Sequence, residues 1–100
     1  MTAREKQILN SALNILKESL NPSRVILFGS RGKDIAGISS DFDFAVDCDG
    51  VNLEMKREIK ESIEAISGLY KVDVVYLNEI EKDFKDIILK SGKVIYERGT

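Results

Sequence analysis

The stretch RVILFGSRGKDIAGISSDFDFAVD, residues 24–47, contains two strand-like runs joined by a glycine- and serine-rich segment. Arg24–Phe28 is a short apolar run that is typical of a buried strand. Gly29–Ser40 holds three glycines and three serines, which predicts a loop with room for one helical turn. Asp41–Asp47 alternates acidic and apolar residues, which predicts a second strand.

The alternation in the second run separates its acidic side chains from its apolar ones. Side chains along a strand point to opposite faces with a period of two. Asp41 and Asp43 therefore share one face. The opposite face, which we expect to enter the core, carries Phe42, Phe44 and Val46. Asp47 and Asp49, further along, are assigned to a solvated turn.

The rest of the chain alternates helical and strand patterns. Thr2 and Glu5 form a predicted capping box, and Asn52 is a second predicted helix cap. Asn78 and Glu81 look like a third cap. The predicted elements are a helix from Thr2 to Asn21-Pro22, strands at 24–28 and 41–47, a helix from Asn52 to Gly68, a strand at 71–77, a helix from Asn78 to Gly92 and a strand at 94–96.

This order of elements predicts a small α/β domain with helices packed on a sheet. The 100 residues show no repeat, linker or low-complexity segment, so we expect a single domain over residues 1–100. Hydrophobic residues make up 43% and charged residues 32%, as in soluble globular domains. Strand order and strand direction do not follow from the pattern.

The composition excludes several kinds of chemistry. There is no histidine, which excludes Ser-His-Asp and Cys-His catalysis and imidazole metal ligands. The single cysteine, Cys48, excludes an intrachain disulfide and a Cys/His zinc site. Acidic neighbours should raise the pKa of its thiol. Catalysis must therefore use carboxylates, hydroxyls, lysine, arginine, tyrosine or a hard metal ion.

The charge balance bears on partners and location. Fifteen Lys and Arg against seventeen Asp and Glu give a net charge of −2, which argues against a dedicated nucleic-acid binder. The first 20 residues are apolar only in stripes and are interrupted by charge. They therefore fit neither a signal peptide nor a membrane span, and we expect a cytoplasmic protein.

Asp73 stands inside an otherwise apolar run, KVDVVYL. Aspartate is depleted in strands, so a position like this needs a reason. If its strand is a neighbour of the second one, Asp73 can lie beside Asp41 and Asp43. Two charges 4 Å apart repel by roughly 4 kcal/mol at an effective dielectric of about 20, which favours protonation or a compensating cation. A site made only of oxygen ligands suits Mg²⁺ or Mn²⁺. The alternative is a solvated strand face.

Gly29-Ser30 follows the first strand directly and can approach a phosphate. A glycine lets the backbone come close, and free N–H groups with a hydroxyl can cradle the phosphate oxygens. Arg31 and Lys33 add positive charge. The segment GSRGKD is not a P-loop, because only two residues separate its glycines and an aspartate follows the lysine. An ordinary tight turn is the alternative.

Taken together, these residues resemble the minimal nucleotidyltransferase branch of the DNA polymerase β-like nucleotidyltransferase superfamily. The family pattern is an apolar residue with Gly-Ser, a spacer of about ten residues, Asp-apolar-Asp-apolar, and a later strand Asp. This chain has Phe28-Gly29-Ser30, then Asp41-Phe42-Asp43-Phe44, then Asp73. Within the loop Arg31 and Ser40 match the family, Lys33 replaces an arginine and Asp34 replaces a glycine.

The resemblance implies a small mixed β-sheet with helices packed on it, an α+β nucleotidyltransferase fold. It implies that Asp41, Asp43 and Asp73 hold two Mg²⁺ ions, with Mn²⁺ as a substitute, and carry the catalysis. It also implies that ATP or another nucleoside triphosphate binds at Gly29, Ser30, Arg31, Lys33 and Ser40. A nucleoside monophosphate would then pass to an acceptor hydroxyl, and pyrophosphate would leave.

The resemblance also suggests an acceptor. Minimal nucleotidyltransferases are often antitoxins that transfer AMP to a tyrosine of a helical HEPN-type toxin, and we expect such a partner here, in a homo- or hetero-oligomer. Two alternatives remain at this point. The chain could be a binding module that inhibits its partner by occlusion alone, or it could be a small-molecule adenylyltransferase.

Overall fold

The helices and strands of the chain follow the order that the sequence predicts. The computed structural model describes residues 2–29 and 42–99. Among these it contains α1 (Ala3–Leu20), β1 (Arg24–Phe28), β2 (Phe42–Asp47), α2 (Leu53–Ser67), β3 (Val72–Tyr76), a 3₁₀ turn (Leu77–Glu79), α3 (Lys82–Ser91) and β4 (Lys93–Glu97). The loop predicted after Gly29 lies outside the described residues. None of the described helices is long and apolar enough to cross a membrane.

The four strands form one mixed sheet in the order β3-β2-β1-β4. β1 pairs antiparallel with β2 and with β4, whereas β2 and β3 are parallel. The parallel pair is joined through α2, because parallel neighbours need a long crossover. The predicted α+β fold, with helices packed on a small mixed sheet, is therefore confirmed.

One face of the sheet carries the larger core, as the alternation of β2 predicts. Phe42, Phe44 and Val46 are fully buried there. The rings of Phe42 and Phe44 are nearly parallel, with centroids 6.4 Å apart. α1 and α2 cover this face through a stripe of buried residues, namely Ile8, Ala12, Leu16, Ile59 and Ile63. Burial of these apolar side chains is the main source of the fold's stability.

The opposite face carries a smaller core beneath α3. Ile26 and Ala45, partners on β1 and β2, pack with Leu77 and Ile88. Gly92 ends α3, as predicted, and its backbone lies so close to the sheet that a Cβ there would be 2.5 Å from Ile26 Cγ2. The glycine therefore lets the chain turn directly from α3 into β4.

The helix caps agree with the sequence at two of three positions. Thr2 and Glu5 form the capping box, and the Asn52 side chain accepts a bond of 2.9 Å from Met55 N–H. The predicted cap at Asn78 is wrong. Asn78 lies in the 3₁₀ turn, and its Nδ2 donates to Asp49 Oδ1 at 2.6 Å. The helix starts later, at Lys82, because Leu77–Glu79 form the 3₁₀ turn instead.

Three strands differ from the predictions at their ends. β3 covers Val72–Tyr76, one residue less at each end than predicted, and Leu77 belongs to the 3₁₀ turn instead. β4 extends one residue beyond each predicted end, to Lys93 and Glu97. Asp47 belongs to the end of β2 rather than to a solvated turn. Its Oδ2 accepts from Arg24 Nη2 at 2.9 Å and from Nε at 3.2 Å. The antiparallel register makes Arg24 and Asp47 direct partners, so a cross-strand ion pair replaces solvation.

Candidate active site

Asp43 lies near the start of β2, on the sheet face opposite the larger core. It has Phe28 as its partner on β1 and Asp73 as its partner on β3. Its relative exposure is 9%, so this carboxylate is nearly withdrawn from water. Burying a carboxylate is costly unless hydrogen bonds or a cation compensate it. The position is therefore not a solvated strand face, which was the alternative for this residue.

Gly29 brings the backbone directly against the carboxylate of Asp43. Its φ is +69°, in the left-handed region that favours glycine. A Cβ at this position would collide with Asp43 Oδ2 and lie 3.2 Å from Asp43 Cγ. Both its φ angle and this close approach therefore favour glycine at the position. The backbone at the end of β1 and the start of β2 therefore lie against each other at Gly29 and Asp43.

Asp73 occupies the register position next to Asp43. The two residues are direct partners in the parallel pair, and neighbouring strands are about 4.8 Å apart. Asp73 is exposed, in contrast to Asp43. The condition stated from the sequence, that these strands be neighbours, is therefore met. Asp43 and Asp73 form a carboxylate pair, side by side on one face of the sheet. We call this line of neighbouring positions across the strands a row.

The chemistry of this pair fits a hard divalent cation. Two adjacent carboxylates supply only oxygen ligands, and a cation between them would offset their mutual repulsion. Within residues 2–29 and 42–99 no group of three acidic, cysteine or histidine side chains is placed to hold a metal. The third predicted ligand, Asp41, lies outside these ranges.

The structure places three of the eight predicted site residues, and it brings those three together: Gly29, Asp43 and Asp73. The predicted positions that lie outside the described residues are Ser30, Arg31, Lys33, Ser40 and Asp41. Their assignment to the nucleotide and to the metal stays a prediction.

Phe84 supports the site, and the sequence did not identify it as a site residue. Its ring meets the ring of Phe28 edge-to-face, with centroids 6.0 Å apart and an interplanar angle of 79°. Phe28 precedes Gly29 directly, so this contact from α3 supports the end of β1 next to Gly29. The only signal in the sequence was the position of Phe84 on the apolar stripe of α3.

Cys48 lies just beyond the other end of β2, away from the carboxylate pair. Partial burial raises the pKa of its thiol, and the negative charges of Asp49 and Asp47 raise it further, against an opposing effect of Arg98. The predicted direction is confirmed. Burial also raises the pKa of the Tyr76 hydroxyl, together with Glu79 and Cys48. Both groups stay protonated at neutral pH and take no part in the site.

Residues 10–100 match the family described as Polymerase beta, Nucleotidyltransferase. Because the match spans most of the sequence, the chain belongs to the polymerase beta nucleotidyltransferase family. Membership supports a nucleotidyl-transferring enzyme of a kind that generally uses divalent metal ions. No curated protein matches the sequence.

Solved structures of minimal nucleotidyltransferases and toxin–antitoxin pairs share the fold. One is a toxin–antitoxin with AMP-PNP, with a TM-score of 0.74 and 20% identity over 89% of this chain and 73% of that one. A second is a tri-AMPylated Shewanella oneidensis HEPN toxin in complex with MNT antitoxin, with a TM-score of 0.71 and 19% identity over 94% and 73% of the chains. A third, described as a minimal nucleotidyltransferase, gives 0.60 and 23% over 94% and 89%. At these identities the likeness establishes the fold alone.

Proposed function

We propose that this chain is a Mg²⁺-dependent adenylyltransferase that moves AMP from ATP to a tyrosine hydroxyl of a HEPN-type toxin and so acts as its antitoxin. The observation that carries the proposal is the contact of the Gly29 backbone with Asp43, directly beside Asp73 in the sheet. Gly29, the first residue of the segment that we assign to the phosphates, then lies next to the carboxylate pair.

The turn after β1 is assigned to the nucleotide. Gly29 and Ser30 would contact the β- and γ-phosphates through backbone N–H groups and a hydroxyl. Arg31 and Lys33 would neutralise the phosphate charge, and Ser40 would border the same site. The Phe28–Phe84 contact supports this assignment, because it holds the last residue before the turn in place.

The carboxylates of Asp41, Asp43 and Asp73 are assigned to two Mg²⁺ ions, for which Mn²⁺ could substitute. When bound, such ions stabilise negative charge on the attacking and leaving oxygens. The pairing of a nearly buried Asp43 with an exposed Asp73 supports a division of roles. Asp43 would be a fixed ligand, and Asp73 would face the incoming acceptor.

The transfer breaks one bond and forms one bond. The tyrosine oxygen attacks the α-phosphorus of ATP, and the bond from that phosphorus to the bridging oxygen breaks. Pyrophosphate leaves with the electron pair, and Asp73 accepts the phenolic proton. Positioning and electrostatic stabilisation carry the catalysis, as in phosphoryl transfer generally, and histidine is not needed.

A protein acceptor fits this chain better than a small molecule or a nucleic acid. The net charge of −2 gives no general attraction for RNA or DNA. In this proposal residues 1–100 form one catalytic domain, and the acceptor lies on the surface of a partner protein. The relatives with toxin–antitoxin and AMP-PNP descriptions support a toxin as that partner. We propose that both proteins act in the cytoplasm.

The decisive experiment follows AMP to the acceptor. Purified chain, ATP labelled at the α-phosphate, Mg²⁺ and a HEPN-type protein from the same genome are incubated and measured by intact mass. We expect a gain of about 329 Da per AMP on the partner. Asp43→Asn should abolish the gain. Asp86→Asn, the same change at an exposed residue of α3, should leave it intact.

Other outcomes favour the alternatives. Tight binding and inhibition of the partner without any mass gain would contradict the catalytic proposal and leave inhibition by occlusion. Label found only on a small hydroxyl compound would contradict the choice of acceptor and leave a small-molecule adenylyltransferase. Label on neither, with no binding of the partner, would overturn the antitoxin role altogether.

A further inference from the structure

The side of β3 that faces away from β2 is an open backbone edge. β3 is the last strand of the sheet, and among residues 2–29 and 42–99 no strand pairs with its outer side. Alternate residues of a parallel strand direct their backbone groups to the same neighbour. The hydrogen bond of 3.1 Å from Phe42 N–H to Lys71 O shows which residues of β3 bond to β2. The backbone N–H and C=O groups of Asp73 and Val75 therefore point to β2. Those of Val72 and Val74 point outward, and so does the N–H of Tyr76.

This edge borders a groove between β3 and α2 with a volume of about 410 Å³. The strand residues 72–76 line one side, and Ile59, Ile63, Lys56 and Lys60 of α2 line the other. Lys56 is paired with Glu79. Lys60 is exposed and makes no ion pair with any residue that the structure describes. The groove is therefore mainly apolar, with one cation available for an acidic occupant.

The other edge of the sheet, at β4, belongs to an irregular strand with two charged ends, whereas β3 is regular and carries one charged residue, Asp73. The pairing of β4 with β1 shifts register between Val25 and Ile26, and both ends of β4 are charged, at Lys93 and Glu97. Irregular pairing and charged ends are common devices against the addition of a strand. β3 keeps a regular register from Phe42↔Val72 to Val46↔Tyr76. The β3 edge is therefore the better template for an added strand.

We propose that the acceptor segment of the partner binds as an extended strand along the open edge of β3, with its tyrosine in the row of Asp43 and Asp73 and an acidic residue near Lys60. This inference rests on the proposed function and names how its substrate is held. Main-chain bonds to an exposed strand edge are a recurring mode of peptide binding. A residue opposite Asp73 projects to the same sheet face, about one strand spacing of 4.8 Å away. The edge thus delivers a hydroxyl to the carboxylate pair.

The first test measures the edge directly. In the free chain the amides of Val72, Val74 and Tyr76 should exchange with deuterium about a hundredfold faster than those of Asp73 and Val75, because only the latter are bonded within the sheet. A synthetic peptide of about nine residues, with a central tyrosine in a threonine-rich sequence flanked by glutamates, should slow exchange of the first three amides and leave the last two unchanged. Unchanged exchange at Val74 with the peptide at saturation would overturn the proposal.

The second test uses transfer to peptides of defined charge. Two peptides of about nine residues share a central tyrosine in a threonine-rich sequence and differ only in flanking glutamates or lysines. With labelled ATP and Mg²⁺ we expect kcat/KM to be at least about tenfold higher for the glutamate peptide. Lys60→Glu should remove this preference. Lys90→Glu, the same change on α3, should keep it. Equal use of both peptides by the unaltered chain would contradict the charge assignment.

A backbone variant separates this inference from the proposed function. Val74→Pro removes an outward N–H, a change that edge strands tolerate, whereas Val74→Ala keeps it. We expect Val74→Pro to lower peptide transfer at least about tenfold relative to Val74→Ala, since one main-chain bond is lost. Transfer to the toxin partner at equal rates in both variants would overturn edge binding and leave the adenylyltransferase intact.

Absence of transfer by the unaltered chain to the partner would instead contradict the proposed function. If Val74→Pro does not fold, the exchange measurement on the unaltered chain decides.

Discussion

Gly29 is the residue at which conformation and close contact coincide, and it allows a sharp prediction. Gly29→Ala should destabilise the fold by about 2–3 kcal/mol, of which about 1–2 reflect the left-handed φ and the rest the collision with the Asp43 carboxylate. AMP transfer should fall at least a hundredfold, because Asp43 must move. Urea unfolding and the transfer assay measure the two effects.

Gly50 provides a matched control for this change. Its φ is +72°, but a Cβ there would meet nothing within 4 Å. Gly50→Ala should therefore show only the conformational cost of about 1–2 kcal/mol and unchanged transfer. Equal losses of stability and activity in the two variants would show that the contact with Asp43 does not matter.

Cys48 gives a prediction about pH. Its thiol pKa is raised in the folded chain by burial and by Asp49, so the unfolded chain loses this proton at lower pH. The contribution to stability is full below the ordinary thiol pKa and is lost as pH rises through the folded value. Between about pH 8 and pH 10 the chain should lose more stability than Cys48→Ala does. Urea titrations of both proteins across this range measure the difference.

A second measurement checks the same environment. Iodoacetamide should modify Cys48 more slowly at pH 8 than it modifies a free thiol, because less thiolate is present. Asp49→Asn removes one of the charges responsible and should speed the reaction. A rate unaffected by this substitution would contradict the role of Asp49 and leave burial and Asp47 as the causes of the raised pKa.

The helix ends show how far local sequence signals reach. Thr2 and Asn52 cap their helices as predicted, since each is followed by a regular amphipathic stripe that begins at once. Asn78 has the same cap-like appearance but bonds to Asp49 instead. A tertiary contact with the turn after β2 thus replaces the local one. The residues near Asn78 in sequence do not predict this contact, because Asp49 is 29 residues away.

Asn52 supplies the corresponding prediction for a whole helix. Asn52→Ala removes the acceptor of the Met55 N–H bond and should cost about 1 kcal/mol of stability, whereas Asn52→Asp should cost little. Because α2 connects the strands that carry Asp43 and Asp73, loss of this cap tests whether the helix end matters to the site. Thermal unfolding of both variants measures the loss of stability, and nucleotide binding measures the effect on the site. A similar loss in both would contradict the capping role.

The strands show the strengths and the limits of sequence patterns most clearly. Alternation in DFDFAVD was enough to assign Phe42 and Phe44 to the core and Asp43 to the opposite face. The register was not available from the sequence, because it depends on pairing between distant segments. The structure supplies it and makes Asp43 and Asp73 partners. The acidic pair could be suspected from composition, but its geometry required the fold.

For the molecule as a whole, ligand binding should be visible as added stability. A ligand present at tenfold its Kd and bound only by the folded state adds about 1.4 kcal/mol. In a chain of this size that raises Tm by about 6–10 °C. We expect such a rise with ATP and Mg²⁺ together, its loss with a chelator, and its absence in Asp43→Asn. A full rise in the presence of the chelator would contradict metal-assisted nucleotide binding.

The family pattern made the fold class and the kind of site predictable across nearly the entire chain. What it left open was strand order, which side of the sheet each helix covers and the accessibility of β3. These depend on packing between segments that are far apart in sequence, and no local pattern encodes them. The support that Phe84 gives to the end of β1 belongs to the same class of information.

The parallel pairing of β2 and β3 has a consequence for the life of a newly made chain. β1 and β2 lie on one side of α2 in sequence, and β3 lies on the other, so the row of Asp43 and Asp73 closes only after the crossover is complete. Pairing of such distant segments carries a larger loop-closure cost than local pairing. A nascent or partly melted chain therefore lacks the paired carboxylates. Under the proposed function, AMP transfer would be measurable only once folding is complete.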